Sequence, residues 1–220
     1  MQATTILNII LVIISLDYLF NLVSGLLNYN SFDNSIPKTL EGIYDKKQYI
    51  NSQKYNKSNF RFGLLTSTIN FFVLFCVFKF GLLGVLDFLL RNYSPENEIS
   101  LSLLFFGSIF FINDIISIPF QLYKIFVIEE KFGFNKMNLK TFIIDKLKSY
   151  ILILILGGVL LSTLLILIML YPSNFWIYFW IVISLFTVFI NMFYTSLIVP
   201  LFNKLILLES GELRNKINIK

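Results

Sequence analysis

Five apolar runs constrain this chain more than any other feature, because each is long enough, or nearly so, to cross a hydrocarbon core that takes about 20 helical residues. They lie at Ile6 to Leu27, Phe62 to Leu90, Leu101 to Ile128, Ser149 to Tyr171 and Phe175 to Leu201. Inside lipid no water satisfies the backbone, so a spanning segment must pair its own N–H and C=O groups. None of these runs alternates with the period of two that a barrel strand requires. The expected fold is therefore all-α, a multi-pass membrane protein with about five transmembrane helices. Composition agrees, since 56% of the 220 residues are hydrophobic and only 14% are charged, outside the range of soluble globular domains. The first run is expected to be an uncleaved span and not a signal peptide. Met1 to Thr5 carries no positive charge, and the run exceeds a usual signal core.

The net charge of +5 matters less than its distribution. Lys38, Lys46, Lys47, Lys54, Lys57 and Arg61 fall in the first loop, and Lys131, Lys136, Lys140, Lys146 and Lys148 in the third. Lys204, Arg214, Lys216 and Lys220 follow the last span. The second loop is short and acidic apart from Arg91, and the fourth, around Pro172, is uncharged. By the positive-inside rule, loops one and three and the carboxyl tail face the cytoplasm and the amino terminus faces outward. The lipid bilayer accounts for the lysines, and nucleic acid is not expected as a partner. This gives a five-helix membrane domain over residues 1–205, with cytoplasmic loops over 28–61 and 128–148, and a cytoplasmic tail over 206–220.

Within the first loop, Leu40, Ile43 and Ile50 recur at helical spacing among polar residues after Pro37, which predicts an amphipathic helix near the membrane surface. The second run carries Lys79, Gly81, Gly84, Asp87 and Arg91 toward its outer end. Asp87 and Arg91 stand one helical turn apart and can pair, Lys79 snorkels or faces protein, and the glycines allow close helix contact. In the third run, Pro119 is expected to kink the helix. Asp114 stands near mid-membrane, where an acid costs about 2.5–3.5 kcal/mol on insertion scales. Either a structural bond to Lys79, Asn70 or backbone, or a place in a transport path, fits it. A path would run past Lys79, Asp114 and Asn191, which makes a small transporter or channel subunit the alternative to the reading below. A non-catalytic membrane scaffold is the other. Gly157-Gly158 suggests a packing point in the fourth run. Trp176, Tyr178 and Trp180 form an interfacial belt at the start of the fifth, which Pro200 ends.

Directly after the third run comes the octapeptide Glu129-Glu130-Lys131-Phe132-Gly133-Phe134-Asn135-Lys136. Two phenylalanines around a glycine suit a tight turn with apolar flanks that dock on protein. The adjacent glutamates cannot share one helix face, so ion pairs with Lys131 or Lys136 are expected of them and not a paired-carboxylate site. Phe142, Ile143, Leu147 and Tyr150 then share a stripe opposite lysines, which predicts an amphipathic run lying along the inner interface before the fourth span.

This octapeptide resembles a signature of the membrane-embedded zinc metalloendopeptidases that include the CAAX prenyl proteases, the Ste24-like M48 family. Ile36-Pro37, Tyr44-Asp45, Tyr49, Ser52-Gln53, Tyr55 and Arg61-Phe62-Gly63 resemble that family's loop between its first two spans. Pro200 to Lys204, Leu208-Glu209 and Gly211 to Leu213 resemble its exit from the fifth. The resemblance covers nearly the whole chain but about the amino-terminal half of a family member. It implies a zinc site on a His-Glu-x-x-His helix after the fifth span, further membrane helices, and cleavage inside a chamber. Eukaryotic members remove the last three residues of prenylated proteins. The chain has no histidine and one cysteine, Cys76, whereas zinc hydrolysis needs imidazoles or thiolates and an activating carboxylate. No catalytic or metal-binding residue is therefore expected here, and zinc belongs to the full-length family. The chain is expected to be inactive alone, to dock a catalytic half, and to meet peptide substrate only in the full-length form. A natural truncation, a split gene or an excerpt would each account for it. Heavy use of Asn, Ile, Lys and Phe favours a bacterial inner membrane, with the endoplasmic reticulum as the alternative.

Overall fold

A computed structural model of the chain describes residues 3–30, 36, 42, 45–93, 97–203 and 211. The described residues form helices α1 (Ala3–Asn30), α2 (Lys46–Lys79), α3 (Leu82–Tyr93), α4 (Glu98–Tyr123), α5 (Leu139–Leu170), α6 (Phe175–Phe193) and α7 (Val199–Phe202). π-Helical segments at Lys124–Glu129 and Tyr194–Ile198 follow α4 and α6. Five stretches are long and apolar enough to cross a membrane: Thr4–Tyr29, Lys46–Lys79, Glu98–Glu129, Leu139–Leu170 and Phe175–Phe202. Among the described apolar residues only Leu11, Leu101 and Ile128 are buried. Helices that satisfy their own backbones while presenting so much apolar side chain outward are suited to lipid, where that surface needs no protein cover.

Two compact units make up the chain, residues 1–137 and 138–220. In the first, α2 packs along α1 and against the π-helical segment after α4, and α3 packs on both α2 and α4. Gly25 lets the Phe60 ring of α2 come close to α1, since a Cβ there would stand 2.9 Å from it. That ring stacks on Tyr29 at 5.1 Å, and the Tyr29 hydroxyl accepts from Arg61 Nε at 3.0 Å and Nη2 at 2.7 Å. Deeper in the seam, Tyr18 stacks on Phe71 at 4.3 Å and its hydroxyl shares a 2.8 Å hydrogen bond with Thr68. Polar and aromatic groups thus fix the register of the pair.

Several expectations change. The second span does not run unbroken from Phe62 to Leu90. The chain breaks at Phe80–Gly81, where Gly81 takes a left-handed φ of 62°, and α3 begins beyond it. Gly81 thus serves as a break and not as a packing point, and a Cβ on Gly84 would meet nothing within 4 Å. Asp87 and Arg91 pair at 2.9 Å on α3, and Arg91 reaches Glu98 at 3.6 Å across the turn into α4. The Asp87 carboxylate, by hydrogen bond first and charge second, raises the Arg91 guanidinium above its ordinary value.

Of the amphipathic run expected in the first loop, the described Ile50 lies inside α2. Asp45 caps that helix, accepting from the Gln48 N–H at 2.9 Å. Pro37, Leu40, Ile43 and Tyr44 lie outside the described residues. With 34 residues α2 is ~51 Å long, well beyond a ~30 Å hydrocarbon core, so its polar first half extends out of the lipid-spanning part.

In the second unit α5 packs on α6. The run from Leu139 to Lys148 is likewise continuous with its span, in a single 32-residue helix capped by Asn138, whose side chain accepts from the Thr141 N–H at 2.8 Å. Continuity of backbone hydrogen bonds outweighs the change in surface pattern, because nothing in the sequence between Leu139 and Tyr150 breaks a helix. Within the unit Gly157 faces only Ile153 of its own helix, at 3.9 Å, so the glycine pair is no packing point there. Pro200 does not end the fifth span. It lies inside α7, beyond a π-helical turn, a position where its missing N–H is tolerated. Lys148 donates to the Leu201 carbonyl at 2.7 Å and to Asp145 at 3.3 Å, tying α5 to α7.

Candidate functional site

The octapeptide closes the first unit as a turn built on its own backbone. The amides of Gly133 and Phe134 donate to the carbonyls of Glu130 and Glu129 at 3.0 and 2.9 Å, and Asn135 also donates to Glu129, at 3.3 Å. Gly133 takes φ 76°, a left-handed conformation that costs a residue with a Cβ about 1–2 kcal/mol. Asn135 Oδ1 then accepts the Met137 N–H at 2.7 Å, a local Asx turn.

The turn docks on α2 at Tyr55, whose ring meets Phe132 at 5.3 Å and Phe134 at 4.8 Å, both edge-on. Phe132 is half-buried. Phe134 stays 60% exposed, short of the burial its apolar character suggests, because Tyr55 covers one edge only. Neither glutamate forms an ion pair among the described residues. Glu130 instead accepts from the Asn135 side chain at 2.8 Å, which the turn brings nearer than any lysine, and Lys131 Nζ lies 5.8 Å over the Phe132 ring. Lys136 is exposed.

Between α2 and the end of α4 this turn overhangs a cavity of about 1010 Å³. Arg61 and Phe62 line it from α2 and Phe120 and Tyr123 from α4, with Phe62 stacked on Tyr123 at 5.1 Å. A second cavity, about 420 Å³, lies between α1 and α2 and is lined by Asp17, Asn21, Ser67 and Asn70 among apolar side chains. Asp17 was missed in reading the sequence. The test that selects Asp114, an ionisable side chain in mid-run, selects it equally well.

The intramembrane polar residues divide between the units, with Lys79 and Asp114 in the first and Asn191 in the second. Lys79 ends α2 with an exposed side chain. Asp114 is half-buried, and its carbonyl accepts from Ser117 at 2.8 Å. Asn191 belongs to the other unit and donates to the Thr187 carbonyl, 2.8 Å away.

Zinc does not fit this chain. There is no histidine and a single cysteine, Cys76, and no group of three His, Cys, Asp or Glu residues is placed to share an ion among the described residues. With no imidazole and no thiolate pair there is no donor set for a zinc-activated water, and no catalytic step follows from these residues.

Comparison with known proteins identifies the membrane bundle. Residues 26–204 match the family described as CAAX prenyl protease N-terminal, five membrane helices. The chain is 31% identical over 191 residues to the CAAX prenyl protease 1 homolog of Arabidopsis thaliana, covering 83% of this chain and 45% of that protein. It is 32% identical over 197 residues to the probable CAAX prenyl protease 1 of Schizosaccharomyces pombe, covering 82% and 41%. The crystal structure of S. mikatae Ste24p superposes with a TM-score of 0.90 at 25% identity, over 97% of this chain and 51% of that one. The chain thus spans less than half the length of these two relatives. With its five spans and a match over residues 26–204, it belongs to the CAAX prenyl protease N-terminal family.

Proposed function

We propose that this chain serves as the membrane half of a zinc metalloendopeptidase, forming chamber wall and presenting the turn at Glu129 to Lys136 as a docking edge for a zinc-bearing catalytic region. The observation that carries this is the superposition on S. mikatae Ste24p across 97% of the chain, joined to the absence of histidine. A five-span bundle of this shape supports the reading as a wall, and the absence of imidazole supports placing the zinc ligands in another region. Phe134, exposed at one face while held by Tyr55 at its edge, is the kind of apolar anchor that a partner surface covers. The substrate class follows from the relatives' names, and is a prenylated protein or peptide.

Co-expression tests this. The 220-residue chain alone is expected to leave a prenylated CAAX peptide uncut. The same chain with the carboxyl-terminal region of the S. pombe relative is expected to co-purify with it and restore zinc-dependent cleavage. Failure to co-purify in the native form, or cleavage by the chain alone, would refute the proposal.

Lysines on the first and third loops support an orientation with both loops and the carboxyl tail, residues 206–220, in the cytoplasm and the amino terminus outside. Cysteines introduced at Lys136 and Asn92 in a Cys76→Ser background should label from opposite sides of the membrane. Relatives in a plant and a fission yeast favour a eukaryotic membrane such as the endoplasmic reticulum over the bacterial inner membrane.

A further inference from the structure

The larger cavity of the first unit has a composition that neither the turn nor a chamber wall requires. On α2 its lining follows Lys54, Lys57, Ser58, Arg61, Phe62 and Leu65, steps of three and four that fall on one helix face. That face changes character along its length. Cations occupy the first two turns, and from Phe62 onward it is apolar. Lys131 adds a fourth cation from the turn, and Phe120 and Tyr123 continue the apolar wall from α4.

No acidic side chain stands among the described lining residues. Lys54 and Lys57 form no ion pair with a described residue, and Arg61 binds Tyr29 through Nε and Nη2, leaving Nη1 outside both bonds. Four positive charges around one cavity, at the level where α2 passes from polar to apolar sequence, create a potential that an anion would relieve. A purely hydrophilic anion would leave the aromatic wall without a partner. An uncharged acyl chain would leave the cations without one.

We propose that this cavity binds an anionic phospholipid, with its phosphate among Lys54, Lys57 and Arg61 and an acyl chain along Phe62, Leu65, Phe120 and Tyr123. The phosphate takes charge-assisted hydrogen bonds from the ammonium and guanidinium donors, and the acyl chain lies against the apolar and aromatic wall.

The test is titration of the detergent-solubilised 220-residue chain with fluorescent dioleoyl phosphatidylglycerol, with dioleoyl phosphatidylcholine as the neutral comparison. Saturable binding of the anionic lipid is expected. Lys54→Gln combined with Lys57→Gln should weaken it about thirtyfold, taking the usual contribution of each basic residue near an anionic surface. Lys46→Gln combined with Lys47→Gln, the same loss of charge on the same helix away from the cavity, should weaken it only about twofold after screening. Lys131→Gln reads the site without altering α2 and should cost about fivefold, which keeps the test open should the double variant fail to fold. Equal losses in the two double variants would overturn the proposal in favour of general surface attraction. Displacement by millimolar inorganic phosphate, or equal binding of dihexanoyl and dioleoyl phosphatidylglycerol, would overturn it in favour of a soluble phosphate ligand.

Discussion

Replacing Tyr55 by alanine should loosen the turn from Glu129 to Met137 while leaving α2 and α4 folded. Tyr55 is the one described side chain whose ring meets both Phe132 and Phe134. An edge-on aromatic pair contributes about 0.5–1.5 kcal/mol beyond area burial, so two pairs set an upper bound of about 3 kcal/mol. Phe134 keeps 60% of its surface exposed, which places its pair at the low end and brings the expected loss to about 1–2 kcal/mol. At about 1.4 kcal/mol per tenfold, local opening should become roughly 5- to 30-fold more frequent. Hydrogen exchange followed by mass spectrometry reads this at the amides of Gly133, Phe134, Asn135 and Met137, all hydrogen-bonded within the turn. Tyr55→Phe retains both ring contacts and should exchange like the native chain. Native-like protection in Tyr55→Ala, or equal loss in Tyr55→Phe, would show that ring contact is not what holds the turn.

Gly25→Ala gains about 1 kcal/mol of helix propensity but drives a Cβ to 2.9 Å from Phe60, an overpacking worth about 1–3 kcal/mol. SDS-titrated unfolding should show a weakened α1–α2 pair, and Phe60→Leu in the same chain should recover about 1 kcal/mol of the loss in a double-mutant cycle. Gly133→Ala, forced into φ near 76°, should raise exchange at the Phe134 amide by about tenfold for a strain of about 1–2 kcal/mol, with no change in α2. Lys148→Met removes the bond to the Leu201 carbonyl and should speed exchange of the Asn203 amide several-fold, for a loss of about 1 kcal/mol. Unchanged exchange would show that the lysine does not hold α7.

How much of the fold was legible follows from what each feature depends on. Five spans could be read because burial in lipid needs only length and apolarity, both carried by consecutive residues. Their ends were harder to place. Lys46 to Arg61 are mostly polar and were placed in the first loop, with Ile50 on an amphipathic helix there, yet they continue α2, since a capped helix propagates cheaply once begun and Asp45 supplies the cap. Gly81 was legible as a glycine but not as a break, because φ is set by how α3 folds back onto α4. The octapeptide was visible as a turn, whereas Tyr55 as its anchor was not. Its partners lie 77 and 79 positions away, and no periodicity links residues at that separation.

By itself the sequence determined that this chain spans a membrane as helices, that it resembles half of a zinc endopeptidase, and that it carries no histidine and a single cysteine. Each of these depends on residue type and local pattern alone. Only the tertiary structure decided that Phe132 is half-buried while Phe134 is exposed, that Glu130 pairs with Asn135 instead of a lysine, and that Lys54, Lys57, Arg61 and Lys131 surround one cavity with an aromatic wall. Those outcomes depend on which helix faces meet, and that is set by close contacts such as Gly25 against Phe60, between residues far apart in the chain.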